Sequence, residues 1–451
     1  QQWAFFPSVS GGWRVSEEAF WKVNPELFSN LKIRASYGSL GNGNVSPYSF
    51  LELLSISTSG RVLNGLKNKY TSAPAVMPDG LTWETATTTD VGLDFGMLNN
   101  RLQFNGDYYI RKTTDMYTVG KTLPDVFGAS SPKGNYADMT TKGWEITLTW
   151  RDQFTLAEKP FNYEIRGTLS DYISTIDRYN NQTGNLNDYY AGKRVGEIWG
   201  YVTEGLFKDQ ADIDSHADQT LIQSSSQRVT YPGDVKIKDL NGDHVIDYGN
   251  NTLKDHGDKT VIGNTLPRYA YSINLSGDWN NFFLSAFFQG VGKQDWYPSS
   301  ECIFWGQYNR PYNNMPTWHQ GNYWTEDNTD AYLPRYAGYN ASLKSTPQTR
   351  YLQNVAYIRL KNLQFGYTLP QPIISKAKLQ NVRVYISAEN LWCWSPLYKH
   401  TRDLDVTNIY GSDPDLTDAD MSSGLNGNRG SGDGNSYPQM KSVSLGLSVT
   451  F

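Results

Sequence analysis

The sequence predicts an all-β chain that crosses a membrane as half of a barrel wall, on three observations. First, segments of about ten residues alternate between apolar and small or polar residues. In the last of them Val443, Leu445, Leu447, Val449 and Phe451 oppose Ser442, Ser444, Gly446, Ser448 and Thr450, the period of a strand with two different faces. Second, the connections alternate in length. Glu17 to Asn30, Leu98 to Arg101, Asp152 to Pro160, Asp278 to Asn281 and Pro370 to Asn381 are short. Gly41 to Trp83, Gly120 to Thr141, Asp177 to Pro267, Val291 to Gln353 and Trp394 to Pro438 are long. Barrels of bacterial outer membranes separate short turns from long loops in this way, and soluble sandwiches rarely do. Third, the polar faces carry Glu145, Arg151, Glu164, Arg166, Arg383 and Glu389. Charges are costly in a dry sandwich core and natural in a wet or plugged lumen.

Taken in order, Phe5, Pro7, Val9, Gly11, Trp13 and Val15 form the first alternating segment, with Pro7 near its end. Leu31, Ile33, Ala35 and Tyr37 form the second, which stops at the turn cluster Gly41-Asn42-Gly43-Asn44. Val91, Leu93, Phe95 and Met97 turn through Leu98-Asn99-Asn100-Arg101 into Leu102, Phe104, Tyr108 and Ile110, a hairpin. Trp144 to Trp150, Phe161 to Leu169, Tyr269 to Trp279 and Phe282 to Phe288 follow with the same period. Ile358 and Leu360 give way to Leu363, Phe365 and Tyr367, so a bulge is expected at Lys361-Asn362. Val382, Val384, Ile386 and Ala388 precede the final strand. The count is about eleven, and an odd number cannot close as a bacterial single-chain barrel. The remaining half of the wall is expected elsewhere.

Composition is compatible with this and narrows the function. The chain has 451 residues, is 38% hydrophobic and has a mean hydropathy of −0.57. No apolar run is long enough for a membrane helix, whereas strands with one apolar face hide in such averages. The 31 Tyr, 18 Phe and 14 Trp suit interfacial girdles or sugar-stacking surfaces. A net charge of −5 without basic clusters argues against nucleic acid. Cys302 and Cys393 are too few for a disulfide framework, and a single bridge between them is left open. The chain opens at Gln1 without a charged-then-apolar leader, so it is expected to be a fragment.

Several segments then carry a resemblance. Phe6-Pro7-Ser8-Val9-Ser10 with Gly12-Trp13-Arg14, Leu31-Lys32-Ile33-Arg34-Ala35-Ser36-Tyr37-Gly38, Gly92-Leu93-Asp94-Phe95-Gly96, Tyr108-Tyr109-Ile110-Arg111-Lys112-Thr113-Thr114-Asp115 and Lys142-Gly143-Trp144-Glu145 come first. Pro232-Gly233-Asp234, Thr260-Val261-Ile262-Gly263-Asn264, Arg359-Leu360-Lys361-Asn362, Gly366-Tyr367-Thr368-Leu369-Pro370 and Ala388-Glu389-Asn390-Leu391 follow in the same order. Together they resemble the carboxy-terminal half of SusC/RagA-type TonB-dependent outer-membrane transporters. The resemblance implies that residues 1–451 are that half of a barrel of roughly 22 strands, without the amino-terminal half-barrel, plug and signal peptide. Residues 177–267, 292–353 and 394–438 are then large extracellular loops. It also implies uptake of oligosaccharides, or of peptides, with a SusD-like surface lipoprotein on the barrel and TonB supplying energy through the absent amino-terminal part. The alternative is a secreted or surface all-β glycan-binding protein without transport.

Two clusters are candidate sites. In Asp239-Leu240-Asn241-Gly242-Asp243-His244-Val245-Ile246-Asp247 the side-chain oxygens at positions one, three, five and nine suit a hard cation, calcium first. His244 stands at the usual glycine position, and Asn250 where a bidentate acid would close the loop. In the family an acid shortly precedes Thr-Val-Ile-Gly, and Asp258 holds that place here, with Asp255 a weaker substitute. The candidate ligands are Asp239, Asn241, Asp243, Val245, Asp247 and Asp258. An Asx-rich turn that caps backbone amides without an ion is the competing reading. The second cluster is aromatic: Trp296, Tyr297, Trp305, Tyr308, Tyr312, Trp318, Tyr323 and Trp324 crowd one loop with Asn309, Asn313, Asn314 and Asn322. These rings are expected to pack the loop itself or meet a partner protein. Stacking on sugars is the alternative, with Trp296, Trp305, Tyr308, Trp318, Tyr323 and Trp324 as the ligand residues. Trp144, Trp150 and Trp279 read as lipid-interface anchors.

Catalytic patterns are missing from the sequence. There is no GxSxG elbow, phosphate loop or HExxH, and His216, His244, His256, His319 and His400 lack metal spacing. Asp413 and Asp415 form a carboxylate pair of the kind glycosidases use, but Asp-Pro-Asp resembles a family loop motif. The expectation is a carrier rather than an enzyme, with no organic cofactor.

Overall fold

The computed structural model describes residues 3–43, 51, 54–72, 76, 80–120, 126, 131–223, 229–299, 302–308, 313–337, 346–407, 409 and 438–451. One antiparallel sheet of eleven strands holds the chain together. Its strands are β1 (Ser8–Arg14), β2 (Phe28–Asn42), β3 (Glu84–Met97), β4 (Leu102–Val119), β5 (Lys133–Leu156), β6 (Lys159–Arg178), β7 (Arg268–Trp279), β8 (Phe282–Lys293), β9 (Tyr357–Thr368), β10 (Asn381–Trp394) and β11 (Ser442–Thr450). Each pairs with the sheet strand before and after it in the chain, so the order is an uninterrupted meander with edges at β1 and β11.

Register carries the alternation from strand to strand. Leu148 pairs with Phe104, Ile146 with Leu169, Ile165 with Leu275, Leu284 with Phe365, and Ile386 with both Phe365 and Leu445. A one-residue slip anywhere would turn these side chains to the other face. Among the described residues nothing covers the apolar face: Leu445 is 79% and Ile386 51% exposed. A continuous apolar surface of this extent needs lipid rather than water as its solvent. From Trp144 down β5 to Phe154 the rise is about 26 Å at roughly 3.4 Å per residue and about 40° of tilt, the height of an outer-membrane apolar band. Aromatic rings mark both ends. Trp144 lies opposite Tyr108 at the long-loop end, and Phe154 meets Phe161 with ring centroids 5.0 Å apart at the short-turn end. Trp150 and Trp279 sit toward that lower end, where Trp150 Nε1 donates to Tyr163 Oη (3.1 Å) and Trp279 Nε1 to the Leu156 carbonyl (2.9 Å).

The other face is charged and self-compensating. Arg34 on β2 bonds Asp94 on β3 and Asp107 on β4, each at 2.8 Å, while Arg151 on β5 pairs with Glu164 on β6. Such ladders belong to a lumen, where water and opposite charge satisfy what lipid cannot.

Some elements differ from expectation. Strands β3 to β6 extend well past the apolar band, and β5 alone has 24 residues. Threonines carry the extension, with Thr85 paired to Thr114 and Thr140 to Thr175, since β-branched side chains favour extended backbone even where both faces are polar. The turn expected over Asp152 to Pro160 tightens to Ala157-Glu158, which take φ of 45° and 62°. A second hairpin, Ser55–Leu63 with Leu66–Ser72, lies inside the first long connection and turns at Asn64-Gly65. The bulge at Lys361 is present, since the consecutive residues Phe287 and Phe288 on β8 pair with Asn362 and Leu360 on β9 and skip Lys361.

The faces make a direct prediction. Leu445→Arg puts a charge in the lipid band and is expected to cost about 2–4 kcal/mol near the midplane, lowering the yield of heat-modifiable barrel of the intact protein. Ser444→Arg puts the same charge on the lumen face and is expected to be milder; equal losses would reverse the assignment of faces.

Candidate functional site

Three long connections, 179–267, 294–356 and 395–441, rise from the same end of the sheet. A loop of such length holds its shape only if it buries something. Here the three share one interior: Tyr201, Val235, Ile237 and Ile246 from the first, Trp296, Phe304, Trp305, Tyr308, Leu333 and Tyr351 from the second, and Leu397, Leu404 and Val406 from the third. Backbone bonds tie the first two, Tyr201 N donating to Pro347 O (2.9 Å) and Thr349 N to Tyr201 O (3.0 Å). They form a cap with its own core over the barrel end.

Two ion pairs fasten it. The turn Pro232-Gly233-Asp234 sets Gly233 at a φ of 84°, where a Cβ would meet the Trp324 ring and the Arg335 side chain. Asp234 then accepts from Tyr231 N (2.9 Å) and from Arg335 Nε (2.7 Å), and the Arg335 guanidinium lies 4.4 Å over the Tyr231 ring. Burial pushes the Asp234 carboxyl up while Arg335 opposes the shift. At the top of β9, Arg359 pairs with Asp405, and both side chains are buried. Asp405 also accepts from Gln439 N (2.9 Å) and Thr407 N (3.0 Å). Burial raises its carboxyl, but these hydrogen bonds and Arg359 outweigh it and hold it below the usual carboxylate range.

The aromatic ligand candidates divide. Trp296, Trp305 and Tyr308 are at most 1% exposed and form the cap interior, so stacking on a sugar is closed to them. Their polar atoms turn inward too: Trp305 Nε1 donates to Pro298 O (3.2 Å) and Tyr308 Oη to Pro334 O (2.7 Å). Trp318, Tyr323 and Trp324 pack partly buried against that interior and keep some surface. Tyr312, Asn309, Asp413 and Asp415 lie outside the described residues.

The acidic turn is knit by amides. Asp239 accepts from Gly242 N (2.6 Å) and His244 N (2.9 Å), Asn241 from Asp243 N (3.0 Å), Asp243 from Val245 N (2.8 Å), and Asp247 from Gly249 N (2.9 Å). Hydrogen bonding, with the Gly242 amide foremost, holds the exposed Asp239 carboxyl below its ordinary value. Asp258, fully buried, accepts from Leu240 N (2.7 Å) on one oxygen and from Asp247 N (3.0 Å) on the other, clamping both ends of the turn. The oxygen donors suit a hard cation chemically, but among the described residues no three acidic, histidine or cysteine side chains converge on one point.

Sequence reasoning gave no role to His319, which is wholly buried in the cap. Its Nε2 lies 2.9 Å from the Phe304 carbonyl, which can only accept, so Nε2 carries the proton and donates. Burial lowers its pKa to about 4, the Phe304 bond opposing. Since an unfolded histidine titrates near 6.5, the opened cap takes up the proton first on acidification. Cap stability is expected to be complete above about pH 6.5 and to fall by about 3 kcal/mol as pH drops to about 4. Proteolysis rates across that range check this, and His319→Gln should flatten the dependence.

Cys302 and Cys393 both stand as thiols, so the bridge left open is not formed. Cys302 accepts from Phe304 N (3.4 Å) inside the cap, and Cys393 on β10 accepts from Tyr398 Oη (3.7 Å).

No family model matches the chain. Over its whole length it is 28% identical to TonB-dependent receptor P26 and 29% identical to TonB-dependent receptor P3 of Formosa agariphila, covering 42% of each. It is 24% identical to TonB-dependent receptor SusC of Bacteroides thetaiotaomicron, covering 40% of it. The chain thus spans about two-fifths of the length of these relatives. Among solved structures, 87% of the chain superposes on 40% of a chain of the RagAB peptide transporter, with a TM-score of 0.64 at 20% identity, which shows the shared fold. With its two-faced meander of neighbouring strands and its whole-length matches, the chain has the fold of half an outer-membrane β-barrel and is similar throughout to part of TonB-dependent receptors that include SusC.

Proposed function

We propose that the intact protein imports a nutrient across the outer membrane with energy from TonB, and that this chain supplies lumen wall and outer cap. The observation that carries the reading is the pairing of an apolar-out, charged-in wall with three loops knit into one cap at a single end. A rigid lid over a wet channel suits capture and passage better than chemistry, so the reading is a carrier without catalysis. A SusD-like surface lipoprotein would meet the cap from outside, and TonB would act through the part of the protein beyond this chain. Oligosaccharides are the first substrate class: Trp318, Tyr323 and Trp324 keep ring surface beside Asn322, the combination that takes a sugar's apolar face and its hydroxyls. Peptides are the second, because the RagAB structures are of a peptide importer.

The test is to purify the intact protein with whatever co-purifies and identify bound molecules and proteins by mass spectrometry. Uptake of labelled oligosaccharides and peptides is then measured in cells with and without TonB. A bound glycan, a co-purified lipoprotein and TonB-dependent uptake are the expected results. Uptake indifferent to TonB would overturn the importer reading, and bound peptide alone would exchange the substrate class.

Calcium at the acidic turn is a separate proposal, supported by the oxygen chemistry of Asp239, Asn241, Asp243, Val245, Asp247 and Asp258. Each carboxylate keeps lone pairs beyond those given to amides. Added calcium is expected to slow proteolysis between Tyr231 and Gly263, and a chelator to restore the faster rate while the barrel stays intact. Identical digestion under both conditions would remove the ion and leave a turn closed by amides.

A further inference from the structure

On the outward face of β4 to β7, just above the upper aromatic pair, lies an open groove of about 760 Å³ lined by Tyr108, Lys112, Lys142, Trp144, Ile173 and Arg268. It sits in the middle of the sheet, away from both edges. Register fixes which way its lysines face. Lys142 is two residues above Trp144 on β5 and pairs with Ile110 and Ile173, while Lys112 is two residues above Ile110 on β4 and pairs with Thr140. Both therefore share the parity of Tyr108, Ile146 and Leu148, the lipid-facing side. Along the rung through Lys142 the other outward positions are Val9, Tyr37, Thr89, Ile110 and Ile173. The rung above holds Ser39, Thr87, Lys112, Thr140 and Thr175. Positive charge on these two rungs is thus confined to two adjacent strands.

The acids in the groove are already engaged. Asp171 is held by a two-pronged pair with Arg268, and Asp177 accepts from the Thr140 hydroxyl. Lys112 and Lys142 are exposed and make no ion pair among the described residues. At roughly 2.6 Å of height per tilted residue they stand about 5–10 Å above the aromatic ring level, the depth of lipid headgroups. Lys112, Lys142 and Arg268 against Asp171 and Asp177 leave the groove net positive, and a lysine pair above an apolar wall complements an amphiphile with an anionic head and acyl chains.

We propose that this groove binds a phosphorylated lipid of the outer leaflet, with the phosphate between Lys112 and Lys142 and the chains along Ile146 and Leu148. The inference rests on the orientation of the wall and is independent of what the transporter carries.

The experiment places the intact protein in mild detergent and titrates phosphatidic acid against phosphatidylcholine of the same chains, counting bound lipid by native mass spectrometry. Phosphatidic acid is expected to bind at least fivefold more tightly, and salt to weaken it. Lys112→Gln with Lys142→Gln should abolish the preference, whereas Arg111→Gln, which removes one positive charge from the lumen face of β4, should leave it intact. Equal affinity for the two lipids, a preference that survives in the double variant, or an equal loss in Arg111→Gln would overturn the proposal. Should the double variant fail to assemble, the lipid comparison and salt titration on the unaltered protein still decide it.

Discussion

Trp305→Ala is expected to cost the outer cap about 3–5 kcal/mol, the usual range for emptying a buried tryptophan site. Trp305 is 1% exposed and touches Phe304 edge-on (centroids 5.2 Å) and Tyr351 edge-on (5.3 Å), so removing the ring opens a cavity where residues from separate parts of the loop meet. Because three loops share that interior, the loss should spread. Native-state proteolysis should reach 179–267 and 395–407 as well as the loop that carries the substitution, while the barrel keeps its heat-modifiable mobility. A ligand-stacking role predicts the opposite pattern: weaker glycan binding with protease resistance unchanged. Trp324→Ala is the useful comparison, since Trp324 only borders the core and should loosen it less.

The contrast between these two tryptophans shows where sequence stops being legible. Strands have a period, and a period sorts inside from outside: Leu445 and Ser444 are assigned to opposite faces by position alone, and the structure agrees. A loop has none, so Trp305 and Trp324 look alike until three distant segments are folded together. The same argument explains the strand ends. Thr85 to Thr89 and Thr113 to Thr114 show no apolar contrast and fall outside the alternating segments, although their density of β-branched residues was a usable signal. Asn64-Gly65 was a stronger one, since Asn-Gly is the preferred pair for a tight hairpin. Asp258 could be singled out only by resemblance, because its two amide partners, Leu240 and Asp247, stand 18 and 11 residues before it. His319 carried no pattern at all. Its environment exists only in the assembled cap.

Arg359→Ala is expected to be as damaging as the loss of Trp305, by another route. Removing one partner of a buried ion pair leaves the other charge without compensation in a place water does not reach, at about 3–5 kcal/mol. Arg359 is the arginine of the Arg359-Leu360-Lys361-Asn362 segment, and its side chain and that of Asp405 are 4% and 7% exposed. Arg359 Nη1 also donates to Gln439 Oε1 (3.2 Å), and Asp405 to its other side takes the Gln439 amide, so one pair joins the top of β9, the third loop and the approach to β11. The variant should free 395–407 and residues just before Ser442 to protease, and slow the closing strand's assembly. Arg359→Met combined with Asp405→Leu is the control, since a buried pair replaced by apolar groups of similar volume is often neutral. If the double substitution is as unstable as Arg359→Ala, packing rather than charge accounts for the loss; recovery of protease resistance assigns it to the stranded carboxylate of Asp405.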